Sequence, residues 1–370
     1  MTILPYKTIG IIGGGQLGRM MAQRAKAMGY YVAILDPTPN CPAAQVSDIE
    51  ITAEYNDMEA IKKLADISDV ITYEFENIDY DALTYLEKHA NLPQGSSVLK
   101  TTQHRFREKT AIKNMGIPVP NFQLIENPSK YLENNAFYPS VLKTTTGGYD
   151  GKGQVVLKSS KDLPEALKVN AECILEEWIP YTKEVSVIVA RSTTGEVSVF
   201  PVSENIHVNN ILHLSIVPAR ISKKVEEMAI SHAKKIAESM EAIGLLAIEM
   251  FVVGQGDDEK IYINELAPRP HNSGHYSMDA CTTCQFEQHI RAVCGLPLGD
   301  VTLHSPVVMV NILGEHMNDL SAYLPLMKNG KLHLYGKSEP KEKRKMGHVN
   351  MLGDIDKSIE MIEKSKIWIL

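Results

Sequence analysis

Three groupings of residues in this 370-residue chain could do chemistry. The densest is Lys143-Thr144-Thr145-Thr146-Gly147-Gly148-Tyr149-Asp150-Gly151-Lys152-Gly153-Gln154, with four glycines among the seven residues 147–153. Such density lets backbone amides close over phosphate oxygens. No Gly-Lys-Ser/Thr ends the run, and a strand rather than a helix follows it, so it is not a Walker A loop. A strand, a glycine flap and a second strand, with a lysine on the entering strand, suggest a nucleotide lid. The second grouping is the pair Glu249 and Glu265, each a lone carboxylate inside an apolar strand: Leu-Leu-Ala-Ile-Glu-Met-Phe-Val-Val and Ile-Tyr-Ile-Asn-Glu-Leu-Ala. A buried carboxylate requires a partner, and two on adjacent strands suit a hard cation such as magnesium, which takes one or two carboxylates plus nucleotide phosphates. The third is Gly13-x-Gly15-x-x-Gly18 after a strand, with Asp36 ending the next strand. That spacing satisfies the dinucleotide fingerprint, although any tight strand-to-helix turn also wants glycines.

Smaller signals are weaker. His271-Asn272-Ser273-Gly274-His275 follows Pro268-Arg269-Pro270 just past the second carboxylate strand, a polar, turn-rich stretch placed for substrate contact. Cys281-x-x-Cys284 has no second pair at zinc spacing and is expected to serve helix packing. No Gly-x-Ser-x-Gly or His-Glu-x-x-His occurs. Residues 328–346 hold seven Lys/Arg and two Glu, a local excess of positive charge on an acidic chain.

The elements that must position these groups alternate along the chain. A strand at 8–12, a helix at 19–28, a strand at 31–35, a helix at 57–66 and a strand at 69–74 predict a parallel sheet with helices on its faces, closing near residue 100. A helix at 105–115 stops at Gly116. Strands are expected at 140–144, 154–158, 174–177 and 185–190. Apolar positions spaced by three and four predict an amphipathic helix over 222–244, with Ser222 as N-cap and Gly244 as C-cap. Strands at 245–253 and 261–266 follow, and a smaller, strand-rich third unit starts at about 299.

Composition bounds the rest. With 38 Lys+Arg against 45 Asp+Glu, a net charge of −7 and 44% hydrophobic residues, the chain reads as globular with two or three domains. The acidic balance offers no general attraction to nucleic acid or to a membrane surface. No apolar run reaches the roughly 18 residues of a span. The first residues carry no export pattern, and five irregularly spaced cysteines suit a reducing compartment, so a cytoplasmic protein is expected.

Lys143 with its flap, Glu176-Glu177-Trp178-Ile179, Glu184, Glu249 and Asn264-Glu265 resemble the ATP-grasp ligases. Within them, residues 13–20 (GGGQLGRM), 147–154 (GGYDGKGQ), 264–275 (NELAPRPHNSGH) and 344–348 (RKMGH) are similar to the N5-carboxyaminoimidazole ribonucleotide synthetases of purine biosynthesis. The resemblance implies an α/β chain, α+β in its ATP-binding part: a Rossmann-like parallel-sheet domain (1–100), an ATP-grasp domain (101–298) with its lid around 120–175, and a small C-terminal substrate-binding domain (299–370). It implies that Arg105, Lys143, Gly148, Gly151, Gly153, Gln154, Glu176, Glu177, Trp178, Ile179, Glu184, His207, Asn264 and Glu265 hold ATP. Glu249 and Glu265 would bind magnesium, or manganese in its place. Gln16, Leu17, Glu74, His271, Asn272, Ser273, Lys337, Arg344 and Lys345 would meet 5-aminoimidazole ribonucleotide, with Tyr149, Asp150, Lys152 and Lys345 at the chemistry and bicarbonate as co-substrate. A homodimer, functionally coupled to the mutase next in the pathway, is also implied. Thr144 and Thr145 stand where some relatives carry arginines. The alternatives are another ATP-grasp ligase, such as the formate-dependent glycinamide ribonucleotide transformylase, an NAD-dependent oxidoreductase built on Gly13–Gly18, and a non-catalytic nucleotide-binding regulator.

Overall fold

The computed structural model of the chain describes residues 2–148 and 152–368, so Tyr149, Asp150 and Gly151 lie outside the described residues. The first unit is a parallel sheet of β1 (Thr8–Ile12), β2 (Tyr31–Asp36), β3 (Ile49–Thr52) and β4 (Val70–Tyr73), in the order β3-β2-β1-β4. Its strands are nearly all apolar because helices cover both faces: α1 (Gln16–Ala27), α2 (Met58–Ile67), α3 (Tyr80–His89) and α4 (Ser97–Thr102). Asp57 and Asp79 cap α2 and α3 with side-chain carboxylates, as the residue types demand.

After α5 (Arg105–Asn114) comes a four-stranded antiparallel sheet of β5 (Phe122–Ile125), β6 (Ser140–Thr144), β7 (Gln154–Leu157) and β8 (Cys173–Glu177), ordered β5-β8-β6-β7. The glycine flap is the link from β6 to β7. Helices α6 (Pro128–Asn135) and α7 (Leu163–Ala166) share this sheet's core through Leu132 and Ala166.

The largest sheet has nine strands: β9 (Lys183–Arg191), β10 (Val197–Val199), β11 (Ser203–Val208), β12 (Ile211–Val217), β13 (Gly244–Val253), β14 (Lys260–Ala267), β15 (Val307–Leu313), β16 (Gly330–Leu334) and β17 (Lys345–Leu352). Its order is β14-β13-β9-β11-β12-β15-β17-β16, with β10 paired to β9. Helix α8 (Lys223–Ser239) lays Val225, Ala229, Ala233 and Ile236 onto it, and Ser222 caps it through Val225 N. The expected C-cap fails: the helix ends at Ser239, and Gly244, at φ +89°, opens β13 instead.

The strand-rich stretch past residue 299 is joined to what precedes it, because β15 is hydrogen-bonded to β12 and extends the same sheet. Helices α9 (Ser277–Ala280) and α10 (Gln285–Cys294) lead back to the first unit, where Phe286, Ile290 and Val293 of α10 share a core with Met20 and Met21 of α1. Cys281 and Cys284 just precede α10 and serve packing as expected: Cys284 caps α10 and packs into that core, and Cys281 is buried in the neighbouring one. The chain ends on α11 (Ile355–Lys364). No helix among the described residues is long and apolar enough to cross a membrane.

Candidate active site

A cleft of about 920 Å³ opens where the flap sheet faces β9, β11, β13 and β14, and it runs on to the turns of the first unit. On the flap side, Lys143 of β6 places Nζ 2.9 Å from Glu176 Oε2 on β8. Glu176 is only 3% exposed, and Lys109 of α5 approaches the same oxygen at 3.7 Å. Burial alone would raise this carboxyl; Lys109 and Lys143 together hold it below its usual range. Glu176 therefore anchors the flap-side lysine, whereas Glu177, Trp178 and Ile179 line the cleft beyond it. Arg105, opening α5, donates from Nη1 to Thr144 O and from Nη2 to Gly148 O, both at 2.8 Å, and so latches the start of the flap. A Cβ at Gly148 would stand 2.6 Å from Lys152 O, which explains the glycine. Lys152 and Gln154 line the cleft, while Gly153 (φ +73°) closes the turn by accepting from Thr144 N.

Glu249 and Glu265 meet directly across β13 and β14. The next pair is Met250 with Ile263, so Asn264 is an extra residue, a β-bulge. The two carboxylates are not equally buried as expected: Glu265 is exposed to the cleft and Glu249 keeps 18% of its side-chain surface. Burial, then the Glu265 carboxylate, push Glu249 up to about 8. His271 Nε2 lies 3.3 Å from Glu249 Oε1, but burial drives its imidazole far down, so it supplies no cation. No trio of His, Cys, Asp or Glu among the described residues could hold a metal alone. A pair of facing carboxylates without a cation between them fits magnesium, completed by phosphate oxygens and water.

At the other wall, His207 Nδ1 of β11 stands 2.8 Å from Glu184 Oε2 of β9. Burial would lower this imidazole, and the carboxylate reverses the direction. Tyr181 and Phe251 stack at 4.5 Å beside them. The far end is lined by Gln16, Leu17, Glu74, His271, Asn272 and Lys345. Asn272 is half-buried there, with both side-chain amide atoms buried and unpartnered among the described residues.

Three expected ligand residues are not on this wall. Ser273 is fully buried, held by Ser186 Oγ at 2.7 Å and His271 Nδ1 at 2.9 Å. Lys337 donates to Lys345 O at 2.8 Å, and burial, then Arg344, lower its ammonium to about 8. Arg344 donates to Glu339 O at 2.9 Å, so of the basic segment only Lys345 reaches the surface of the cleft.

The dinucleotide spacing is also answered. Asp36 accepts from Gly14 N at 2.7 Å, Thr38 N at 2.8 Å and Tyr55 Oη at 2.7 Å, and Glu74 accepts from Gly15 N and Gly18 N. Carboxylates of the chain itself occupy the amides that a pyrophosphate would need. Residues not expected at the site include Arg269, paired through Nε with Glu76 at 2.9 Å, and the stacked Tyr181 and Phe251. Arg269 was signalled by its place between two prolines beside the carboxylate strand; the aromatic pair joins the approach to β9 with β13, far apart in the chain, and carries no local signal.

A glycine flap over a lysine, facing two carboxylates on paired strands, is ATP-grasp architecture, and residues 110–286 match the ATP-grasp domain family. Residues 6–103 match the ribonucleotide synthetase preATP-grasp domain and 307–361 the phosphoribosylaminoimidazole carboxylase C-terminal domain. The chain is 53% identical over 354 residues to the N5-carboxyaminoimidazole ribonucleotide synthase of Bacillus subtilis (strain 168), covering 95% of this chain and 92% of that one. A crystal structure of an N5-carboxyaminoimidazole ribonucleotide synthetase with ADP superposes with a TM-score of 0.96 at 61% identity, over 99% of this chain and 98% of that one. The Aspergillus clavatus enzyme, solved with ADP and 5-aminoimidazole ribonucleotide, gives 0.90 at 31% identity, over 98% of both chains. This chain belongs to the N5-carboxyaminoimidazole ribonucleotide synthase family.

Proposed function

We propose that this chain uses ATP and bicarbonate to carboxylate the exocyclic amine of 5-aminoimidazole ribonucleotide, giving N5-carboxyaminoimidazole ribonucleotide, ADP and phosphate in purine biosynthesis. The observation that carries this is a single cleft with a flap-and-carboxylate end and a separate polar end, in a chain matched along 98% of its length by a relative solved with both ADP and the ribonucleotide.

The chemistry follows from charge. A bicarbonate oxygen attacks the γ-phosphorus and ADP leaves, forming carboxyphosphate; the amine nitrogen then attacks the carboxyl carbon, the bond to phosphate breaks, and the amine proton departs with the phosphate. Lys143 and Arg105 would face the phosphates, with Gly148, Gly153 and Gln154 of the flap closing over them. Trp178 and Ile179 would flank the base, and Glu184, oriented by His207, would take the ribose hydroxyls. Glu249 and Glu265, with Asn264 beside them, would hold magnesium or manganese, which when bound offsets negative charge on the transferred group. Gln16, Leu17, Glu74, His271, Asn272 and Lys345 would hold the ribonucleotide, with the charges of Lys337 and Arg344 behind Lys345. Tyr149, Asp150 and Lys152 complete the lid in this reading. Closure keeps water from a short-lived intermediate. A cytoplasmic homodimer that passes its product to the following mutase completes the proposal.

ADP release measured with and without the ribonucleotide, in bicarbonate-containing and bicarbonate-free buffer, tests it. Strong stimulation that needs both is expected. Equal release with formate or biotin in place of the ribonucleotide would assign the chain a sister activity.

A further inference from the structure

β14 is the edge of the nine-stranded sheet, so its outer backbone groups have no strand partner. Covered by α5, they must be satisfied in another way. Lys109 Nζ donates to Ile263 O at 3.1 Å and to Asn264 O at 2.7 Å. Leu266 N donates to Glu108 Oε2 at 3.3 Å, and Ile263 N to Pro118 O at 2.9 Å. These contacts bracket the one place where the β13–β14 ladder slips, with Asn264 as the extra residue immediately before Glu265. Lys109 is 1% exposed and is held from its other side by Glu176. A lysine is an expensive choice for mere coverage, since burying an ammonium costs far more than burying a neutral donor. A bulge re-aims the side chains that follow it, and here it decides how Glu265 meets Glu249.

We propose that Lys109 is a positioning residue for the metal site: its two carbonyl bonds pin the β14 bulge so that Glu249 and Glu265 face each other at a spacing suited to a small, hard cation. The inference rests on the metal role proposed above for those two carboxylates. Edge coverage alone predicts a loss of stability that no ion would notice. Pinning predicts a loss specific to magnesium, which demands near-ideal octahedral geometry, and a smaller one for calcium, which tolerates irregular sites.

Calorimetric titration of ADP into the full-length protein, in magnesium, in calcium and in EDTA, separates these without relying on turnover. Lys109→Met is expected to weaken ADP about tenfold in magnesium, the usual scale for losing a group that orients a metal ligand, and less than about threefold in calcium or EDTA. Glu108→Ala, which frees only Leu266 N, should move the magnesium value in the same direction by about threefold. Equal change in all three conditions, or none, overturns the proposal; if Lys109→Met does not fold, Glu108→Ala decides by the same criterion. Wild-type protein that binds ADP equally in magnesium and EDTA would instead overturn the metal role itself, and this inference with it.

Discussion

Two glycine-rich turns follow strands in this chain, and they are put to opposite uses. In the first, between β1 and α1, the amides of Gly14, Gly15 and Gly18 are all taken by Asp36 and Glu74. A Cβ at Gly14 would lie 2.1 Å from Cys41 Sγ, and one at Gly15 would lie 2.7 Å from Glu74 Oε1. These glycines admit the protein's own side chains, whose negative charge settles the positive end of α1. In the second, between β6 and β7, a Cβ built at Gly148 would meet Lys152 O and Arg105, but no described residue stands within 4 Å of one built at Gly147, and Gly147, Gly148 and Lys152 line the cleft. Glycine density reports that something must approach the backbone closely. Only the neighbours say whether that something is the protein or a ligand.

The sharpest way to break the comparison is at the carboxylates. Asp36 and Glu74 have backbone donors, whereas Glu249 and Glu265 face each other and, in the function proposed above, lean on a cation from outside. Glu265→Gln keeps the shape and removes that attraction, so turnover should fall on the order of a thousandfold. The thermal midpoint should stay within a few degrees of wild type, because the side chain is already exposed. Substantial activity at saturating magnesium would show that the open loop does not work over a metal.

A second, smaller effect concerns anion binding beside the first loop, where the amides of Gly14, Gly15 and Gly18 are taken. Gln45 Nε2 of the first unit donates to Gly336 O at 3.0 Å, which brings the basic segment alongside that loop. Side-chain cations would then do there what those three amides cannot. Lys345→Ala should weaken the ribonucleotide by about 2 kcal/mol, the scale of a hydrogen bond to a charged group; Arg344→Ala, behind it and off the cleft wall, should do less, and both should leave ATP affinity nearly unchanged. Steady-state titration of each substrate checks this; a selective loss for ATP would move the segment to the other end of the cleft.

The third effect is on pH. With Glu249 pushed up to about 8 from an ordinary 4.5, its protonated form stabilises the metal-free fold, fully below 4.5 and progressively less as pH rises through 8. A cation needs the ionised form. Magnesium-dependent tightening of ADP should therefore weaken by up to about tenfold per unit below pH 8, with release of one proton on binding. Calorimetry in buffers of different ionisation enthalpy measures that proton, and Glu249→Gln should abolish it. A flat profile in the wild type would mean that Glu249 is not the ligand.

Much of this was legible beforehand because the signals are local. Glu249 and Glu265 stand out as lone charges in apolar strands, and Ser222 with the spacing of Val225, Ala229, Ala233 and Ile236 declares α8. The β11–β12 hairpin was missed: its turn is Asn209-Asn210, both at positive φ, with no glycine to mark it. Lys109 and Glu108 look like ordinary surface charges of a polar helix, and only the edge position of β14, set by pairings far apart in the chain, buries them. The same non-local pairing, β12 with β15, joins the strands past residue 299 to the central sheet. The dinucleotide spacing leaves its use open for a related reason, since of the two carboxylates that stopper the loop, Asp36 and Glu74, the second lies 56 positions beyond Gly18.

The smallest predicted effect tests that stopper. Asp36→Asn preserves shape and one acceptor for Gly14 N but removes the charge facing Gly14 N, Thr38 N and the Tyr55 hydroxyl. The amide oxygen can keep the Gly14 N and Tyr55 hydroxyl bonds, but the amide nitrogen cannot accept from Thr38 N, so a loss of about 1 kcal/mol, the net worth of one hydrogen bond, is expected. In a chain of this size that lowers the thermal midpoint by roughly 2 to 4 °C or less. ATP and ribonucleotide constants should not move, because the carboxylate points into the turn and away from the cleft wall. NAD should not stabilise the wild type or the variant, whereas ATP with magnesium should stabilise both. A variant that gained a thermal shift with NAD would show the first loop to be a nucleotide site held shut by one charge, and the contrast between the two loops would become one of degree.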